Sequence, residues 1–275
     1  MNPEPATELL ALAAGAVAGC LGALVGIGGG IILVPLLNAV MGLSFREATA
    51  ISLIGVLATS SSAAMGPSVG RLINPRLAVA LLFFSVSGAS LGARVLDVFS
   101  DETYKLIFGL TAVAIAALMF GRLNRRNVLP IGDVDTGVLG GVFHDSDSGR
   151  DVAYRVKRLP LAAAISFAAG VLASFIGIGG GIVIVPVLNS LCGVPLRVAA
   201  ATSVLMIGVT AVPGVAAHWA GGHLGDFHVA GATALGVLGG FQFGLWLSPR
   251  APVRWLKVVL AGILAAVAVQ YLVFR

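Results

Sequence analysis

Charge is what this sequence most lacks. Of 275 residues only 11% are Asp, Glu, Lys or Arg, 58% are hydrophobic, and the mean hydropathy is +1.01. That balance excludes an ordinary soluble domain and describes a polytopic membrane protein. The scarcity is also spatial: positions 9–43, 48–70, 77–93, 106–121, 159–196, 198–217, 229–247 and 258–274 contain no charged residue. Each is long enough to cross a bilayer or enter it deeply, since a helical crossing takes about 17–25 residues. A proton relay of buried carboxylates is excluded by the same absence. Only two cysteines occur, Cys20 and Cys192, both in apolar segments, so there is no disulfide framework. The N-terminal MNPEPATE is acidic and lacks the basic start of a secretory signal, so the first apolar segment is expected to stay in the mature protein. The net charge of +5 does not point to nucleic acid, because the basic residues lie in loops between apolar segments.

What the sequence has in plenty is glycine, 37 residues, and its placement repeats. Gly26 to Asn38 reads GIGGGIILVPLLN and Gly177 to Asn189 reads GIGGGIVIVPVLN, a gap-free match 151 positions apart. The match continues: Arg46 falls on Arg197, Ala48 on Ala199, Ala50 on Ala201, Ser52 on Ser203, Thr59 on Thr210, and upstream Gly19 on Gly170. The chain therefore reads as two copies of one unit, 1–121 and 159–275, joined by a polar linker, 122–158, that is basic at both ends. The fold expected is all-α and polytopic, with two homologous four-segment repeats. The middle of the linker has two weakly β-like runs about a DSDSG turn, which suits either a small hairpin or a disordered loop.

Positions 9–43 are too many for one simple crossing of about 30 Å at 1.5 Å per residue. Each glycine in the run Gly26, Gly28, Gly29, Gly30 costs a helix about 1 kcal/mol relative to alanine, which predicts a break with half-helices on either side. Pro35 follows one turn later, and 159–196 repeats the arrangement with Pro186. Such a segment is either a broken crossing helix or a re-entrant hairpin. Loop charge favours the hairpin with the N- and C-termini outside and the linker cytoplasmic: of 17 basic residues only Arg46, Arg94, Lys105 and Arg275 then fall outside. An odd number of crossings per unit turns the second copy upside down, the inverted-repeat build of many secondary transporters. Small residues at four-residue spacing (Gly15, Gly19; Gly88, Gly92; Gly236, Gly240, Gly244) are expected to pack helices closely, and lipid-facing ridges of this kind permit a homodimer without requiring one.

With no charge in the membrane interior, a ligand there must be held by backbone groups, hydroxyls and amides. Half-helices beginning at the breaks present free N–H groups and a positive dipole end, which suit a small anion. The candidate substrate-binding residues are therefore Gly26, Gly28, Gly29, Gly30 and Ser52 in the first copy, with Gly177, Gly179, Gly180, Gly181 and Ser203 in the second. Accessory candidates are Asn38, Arg46, Thr49, Asn189, Arg197 and Thr202. Each has a plainer alternative. The hydroxyls can satisfy their own helices, the asparagines can tie down helix ends, and the arginines can anchor the chain at the membrane interface. His218, His223 and His228 with Asp226 have no metal-site spacing, so no metal or other cofactor is expected. GIGGGI lacks the third glycine of a dinucleotide fingerprint, and no nucleophile with an acid–base pair suggests an enzyme.

The duplicated GIGGG followed by VPLLN or VPVLN, a short basic loop and a helix carrying Arg46, Ala48, Ala50, Ser52 or Arg197, Ala199, Ala201, Ser203 resembles the sulfite exporter TauE/SafE family, the toluene-sulfonate uptake permeases. The resemblance runs from about Leu10 to Val273. It implies an inner-membrane permease for small sulfur-containing anions (sulfite, thiosulfate, sulfonates, sulfoacetate) working by alternating access, with export the preferred direction and the coupling ion, proton or other, unassigned. An anion channel on the same site, or a non-transporting scaffold or assembly factor, are the rival readings.

Overall fold

The computed structural model describes residues 5–25, 28–65, 70, 72–121, 136–145, 150–247 and 262. Gly26, the start of the linker and the last segment of the second copy, with the C-terminus, lie outside these. Nine helices are described: α1 (Pro5–Val25), α2 (Gly30–Met41), α3 (Phe45–Met65), α4 (Pro75–Arg94), α5 (Asp101–Gly121), α6 (Leu159–Ile176), α7 (Gly181–Ser190), α8 (Leu196–Ala220) and α9 (Phe227–Leu247). Five of them, α1, α4, α6, α8 and α9, are long and apolar enough to cross a membrane. Helix α3 is richer in Ser and Thr, and it is shielded: Thr49, Ser52, Thr59 and Ser60 are all buried. Large apolar side chains such as Phe83, Leu235, Phe243 and Trp246 point outward instead, as a lipid-facing surface requires.

The glycine ridges decide which helices pair. On α1 and α9, a Cβ placed on Gly15 would run into the Thr233 carbonyl, on Gly19 into that of Val237, on Gly236 into that of Leu12 and on Gly240 into that of Ala16. Positions rise together on both helices, so α1 and α9 are parallel with their backbones in contact. Helices α4 and α6 form the same kind of pair, through Gly88 on the Phe167 carbonyl, Gly92 on that of Val171 and Gly170 on that of Ser85. The Ser174 hydroxyl adds a hydrogen bond to the Ala89 carbonyl at 2.8 Å. Lipid offers no hydrophobic drive between helices, so close van der Waals contact along small residues takes its place. The ridges expected to allow a dimer are thus used within one chain.

Helices α3 and α8 cross at the centre and run antiparallel. The Ser60 hydroxyl donates to the Val204 carbonyl at 2.5 Å and accepts from the Gly208 N–H at 3.1 Å, while Leu53 lies against Gly214.

Contacts at the bundle ends locate the two long segments. At one end Glu8 approaches His228 at 3.7 Å, Glu47 borders Gly225, and Arg46 pairs with Asp101. The start of α1 and the end of α2 therefore share a face. At the other end the Lys157 N–H bonds the Cys192 carbonyl at 2.9 Å, so the start of α6 and the end of α7 share the opposite face. Both segments turn back rather than cross. The arms are unequal, however, which departs from the expected pair of half-helices: α1 has 21 residues, about 31 Å, and α2 has 12, about 18 Å. The reason is visible at the break, where a Cβ on Gly29 would lie 2.7 Å from the Ala18 carbonyl oxygen and one on Gly180 would lie 3.1 Å from that of Ala169. The chain overshoots and returns, so that α2 and α7 begin beside the middle of the longer arm.

The linker is structured where it is described. Strands β1 (Gly141–Asp145) and β2 (Arg150–Tyr154) form an antiparallel hairpin. Phe143, Val152 and Tyr154 are buried in one cluster with Leu77, Leu81 and Leu188, so the hairpin is docked on the bundle and is not a free loop. Asn74 holds it there. Its side chain caps α4 by accepting from the Leu77 N–H at 3.0 Å and donates to the Leu139 carbonyl and the Tyr154 hydroxyl, both at 2.8 Å, while its backbone N–H donates to Thr202 at 3.0 Å. Burial pushes the Tyr154 phenol up, against a smaller downward pull from Asn74, so it stays protonated. Asn74→Ala removes a cap and leaves buried partners unpaired, and about 2–3 kcal/mol of stability is expected to go with it. The check is the midpoint of denaturant unfolding in detergent, which Tyr154→Phe should lower by less.

Candidate functional site

The site is assembled where the two breaks meet. In each, two successive glycines take left-handed backbone: Gly28 and Gly29 at φ 78° and 77°, Gly179 and Gly180 at φ 75° and 72°. This conformation costs other residues about 1–2 kcal/mol each, which is the local reason for the GIGGG sequence. The carbonyl of Gly29 then accepts from the N–H groups of Ile32 and Leu33, and that of Gly180 from Val183 and Ile184. The N–H groups of Gly30, Ile31, Gly181 and Ile182 precede these first helical bonds and point out of the helix ends.

The tertiary fold brings the breaks into contact through α3 and α8. Gly30 packs so closely against Gly177 that a Cβ would lie 2.5 Å from the Gly177 carbonyl oxygen. Ser52 bridges them, its hydroxyl 2.8 Å from the Gly177 carbonyl and 3.2 Å from that of Gly30. Thr59 reaches the Gly28 carbonyl at 3.3 Å. Ser203 lies at the start of α7, its Oγ 2.8 Å from where a Cβ on Gly181 would be. Of the substrate-binding candidates, Gly28, Gly29, Gly30, Ser52, Gly177, Gly179, Gly180, Gly181 and Ser203 are thus together and buried. Gly26 lies outside the described residues.

The accessory candidates divide. The Thr49 backbone lies against Gly177, beside the site. The Asn38 amide donates to the Leu43 carbonyl at 2.7 Å and that of Asn189 to the Val194 carbonyl at 3.0 Å, each tying the end of its short arm to the following loop. Arg46 donates to the Phe99 carbonyl at 2.7 Å, pairs with Asp101 at 3.1 Å and lies over the Tyr104 ring, fastening α3 to α5 at the bundle end. Thr202 takes the Asn74 N–H, away from the breaks, and Arg197 is exposed at the first turn of α8. None of the partners named for Asn38, Asn189, Arg46 and Thr202 belongs to the glycine breaks. Among the described residues no three His, Cys, Asp or Glu converge as a metal would require.

Two residues that motif reading passed over occupy the centre. Val56 and Ile207, each 1% exposed, form one apolar cluster with Leu53 and Ala211. Ile207 borders Gly28, Gly179 and Gly181, while Val56 borders Gly30 and Gly179. Together they fill the gap between the breaks, and a neighbouring cavity lined by Leu172, Ile176, Ile178 and Gly180 holds only about 10 Å³, scarcely one water. The site is closed. A signal for this pair was present: Val56 and Ile207 are 151 positions apart, like the glycines.

A membrane bundle whose glycine breaks meet at its centre invites comparison with known proteins. Residues 11–271 match the family described as Sulfite exporter TauE/SafE. The chain belongs to that family. It is also 26% identical over 263 residues to the Probable membrane transporter protein YunE of Bacillus subtilis (strain 168), covering 93% of this chain and 94% of the relative. No solved structure matches. This TauE/SafE protein is accordingly a multi-pass membrane transporter in a lipid environment, with a small substrate.

Proposed function

We propose that this TauE/SafE member is a permease, not an enzyme, that moves a small sulfur-containing anion (sulfite, thiosulfate, a sulfonate or sulfoacetate) across the inner membrane by alternating access, with export the preferred direction. The anion is held at mid-bundle by the N–H groups that open α2 and α7. Two copies, 1–121 and 159–275, form the transporter as inverted repeats about the cytoplasmic linker 122–158, with both termini outside. The antiparallel crossing of α3 and α8, which are equivalent at the 151-residue offset, supports that inversion, because copies related by an axis along the membrane normal would keep these helices parallel.

The observation that carries the reading is the convergence itself: the two breaks, entered from opposite faces of the bundle, touch at Gly30 and Gly177, and neither apolar segment contains a charged residue. Dipole ends and free N–H groups are the one electropositive feature such an interior can offer. An anion bound there must displace Val56 and Ile207 from the gap, so binding and rearrangement are linked. The test is Gly181→Ala in the purified protein. The nearest atoms to its Cβ would be side-chain atoms of Ile207 and Ser203, which must shift to admit it, so the ligand-free melting temperature of the variant is read first. The wild type should gain melting temperature in one of sulfite, thiosulfate, sulfoacetate or taurine and not in chloride, and the variant should lose that gain. A wild type indifferent to every sulfur anion, in binding and in flux, sinks the reading.

A further inference from the structure

The two breaks are not chemically equivalent, although their sequences are. Ser52, in the first copy, has its hydroxyl engaged by the carbonyls of Gly177 and Gly30. Ser203, its partner at the 151-residue offset, is 0% exposed and its Oγ has no hydrogen-bond partner among the described residues. Leaving a buried hydroxyl unmade is unfavourable, and native proteins rarely do so without a reason. Its position supplies one: it faces the start of α7, where the first-turn N–H groups of Gly181 and Ile182 emerge. Thr49, whose backbone lies against Gly177, also carries a buried Oγ1 without a partner among the described residues.

Resting on the transport reading above, we propose that the anion is bound asymmetrically, at the second break, with the Ser203 hydroxyl as its side-chain ligand, while Ser52 acts as a bolt that holds the two breaks together. One hydroxyl and the outward N–H groups of one helix end converge on a single point, which suits the –SO₃⁻ head shared by sulfite and organic sulfonates better than a spherical halide. The bridge from Ser52 to Gly177 and Gly30 uses that hydroxyl's one proton and leaves it no donor to offer an anion.

The experiment is anion titration of purified wild type, Ser203→Ala, Ser52→Ala and Gly181→Ala, read as melting temperature without ligand and as the half-saturating concentration of sodium sulfite, sodium methanesulfonate and sodium chloride. Ser203→Ala should keep the ligand-free melting temperature, because no bond is lost, and raise the half-saturating concentration for the sulfur anions tenfold or more. Ser52→Ala should instead lower the ligand-free melting temperature. The sulfite and methanesulfonate arms separate inorganic from organic sources of the head. If Ser203→Ala binds like the wild type while Gly181→Ala does not, the assignment to Ser203 is overturned and the transport reading stands. Equal response to chloride overturns the choice of an oxyanion. No response of the wild type to any sulfur anion overturns both.

Discussion

Gly240→Leu is expected to leave no folded protein. The Cβ alone would fall inside the Ala16 carbonyl group, and the obstructing atoms are helix backbone, which cannot rotate aside as a side chain can. Overpacking that side chains absorb costs about 1–3 kcal/mol. Here α1 and α9 must separate, and the contacts at Gly15, Gly19, Gly236 and Gly244 fail together because they lie on the same seam. A loss spread over the whole seam rivals the total stability of a domain, about 5–15 kcal/mol. The adjoining Gly239 is the control: a Cβ there meets nothing within 4 Å, and the position is exposed. Gly239→Leu should elute from a sizing column in detergent as the wild type does, while Gly240→Leu aggregates or disappears from the membrane fraction. Identical elution of the two would show that α1 and α9 do not pack as described.

Ile207→Ala should open the closed site. The side chain borders three of the break glycines from 1% exposure, and truncating a buried isoleucine removes about 2–5 kcal/mol of packing from the state in which it is buried. If that state is the occluded one, a loss of even 2–3 kcal/mol relative to a hydrated state moves the balance between them tenfold or more. Flux of a sulfur anion into proteoliposomes should rise at least tenfold, with weaker discrimination against chloride, and Val56→Ala should act in the same direction. A variant that stays folded with unchanged flux and selectivity would show that the apolar pair is ordinary packing.

Much of the candidate site was legible because its causes are local. Gly28, Gly29, Gly179 and Gly180 are glycine because of their own backbone angles, and a run of four glycines in an apolar segment announces a break wherever it is placed. The hairpin geometry followed from loop charge, a statistical trace of membrane insertion. The unequal arms did not follow, because the depth at which α2 begins is set by where Gly29 meets Ala18, a contact between helices. Asn38 and Asn189 looked as suited to an anion as to tying down a helix end, and Arg46 as an interface anchor or an anion contact; the structure gives them the carbonyls of Leu43, Val194 and Phe99 as partners. Val56 and Ile207 were hidden by their chemistry, since an apolar residue in an apolar helix gives no signal except its place in the repeat.

The sequence alone determined that this is a helical membrane protein carrying one glycine-rich motif twice, because hydropathy, glycine runs and offset matches depend only on the order of residues. It also placed the protein in its family. The tertiary structure decided which equivalents differ. Ser52 and Ser203 are 151 positions apart, like the glycine runs, yet among the described residues one hydroxyl is bound by two carbonyls and the other by none. A hydroxyl's role depends on what stands opposite it, and for Ser52 that is supplied by carbonyls outside its own helix.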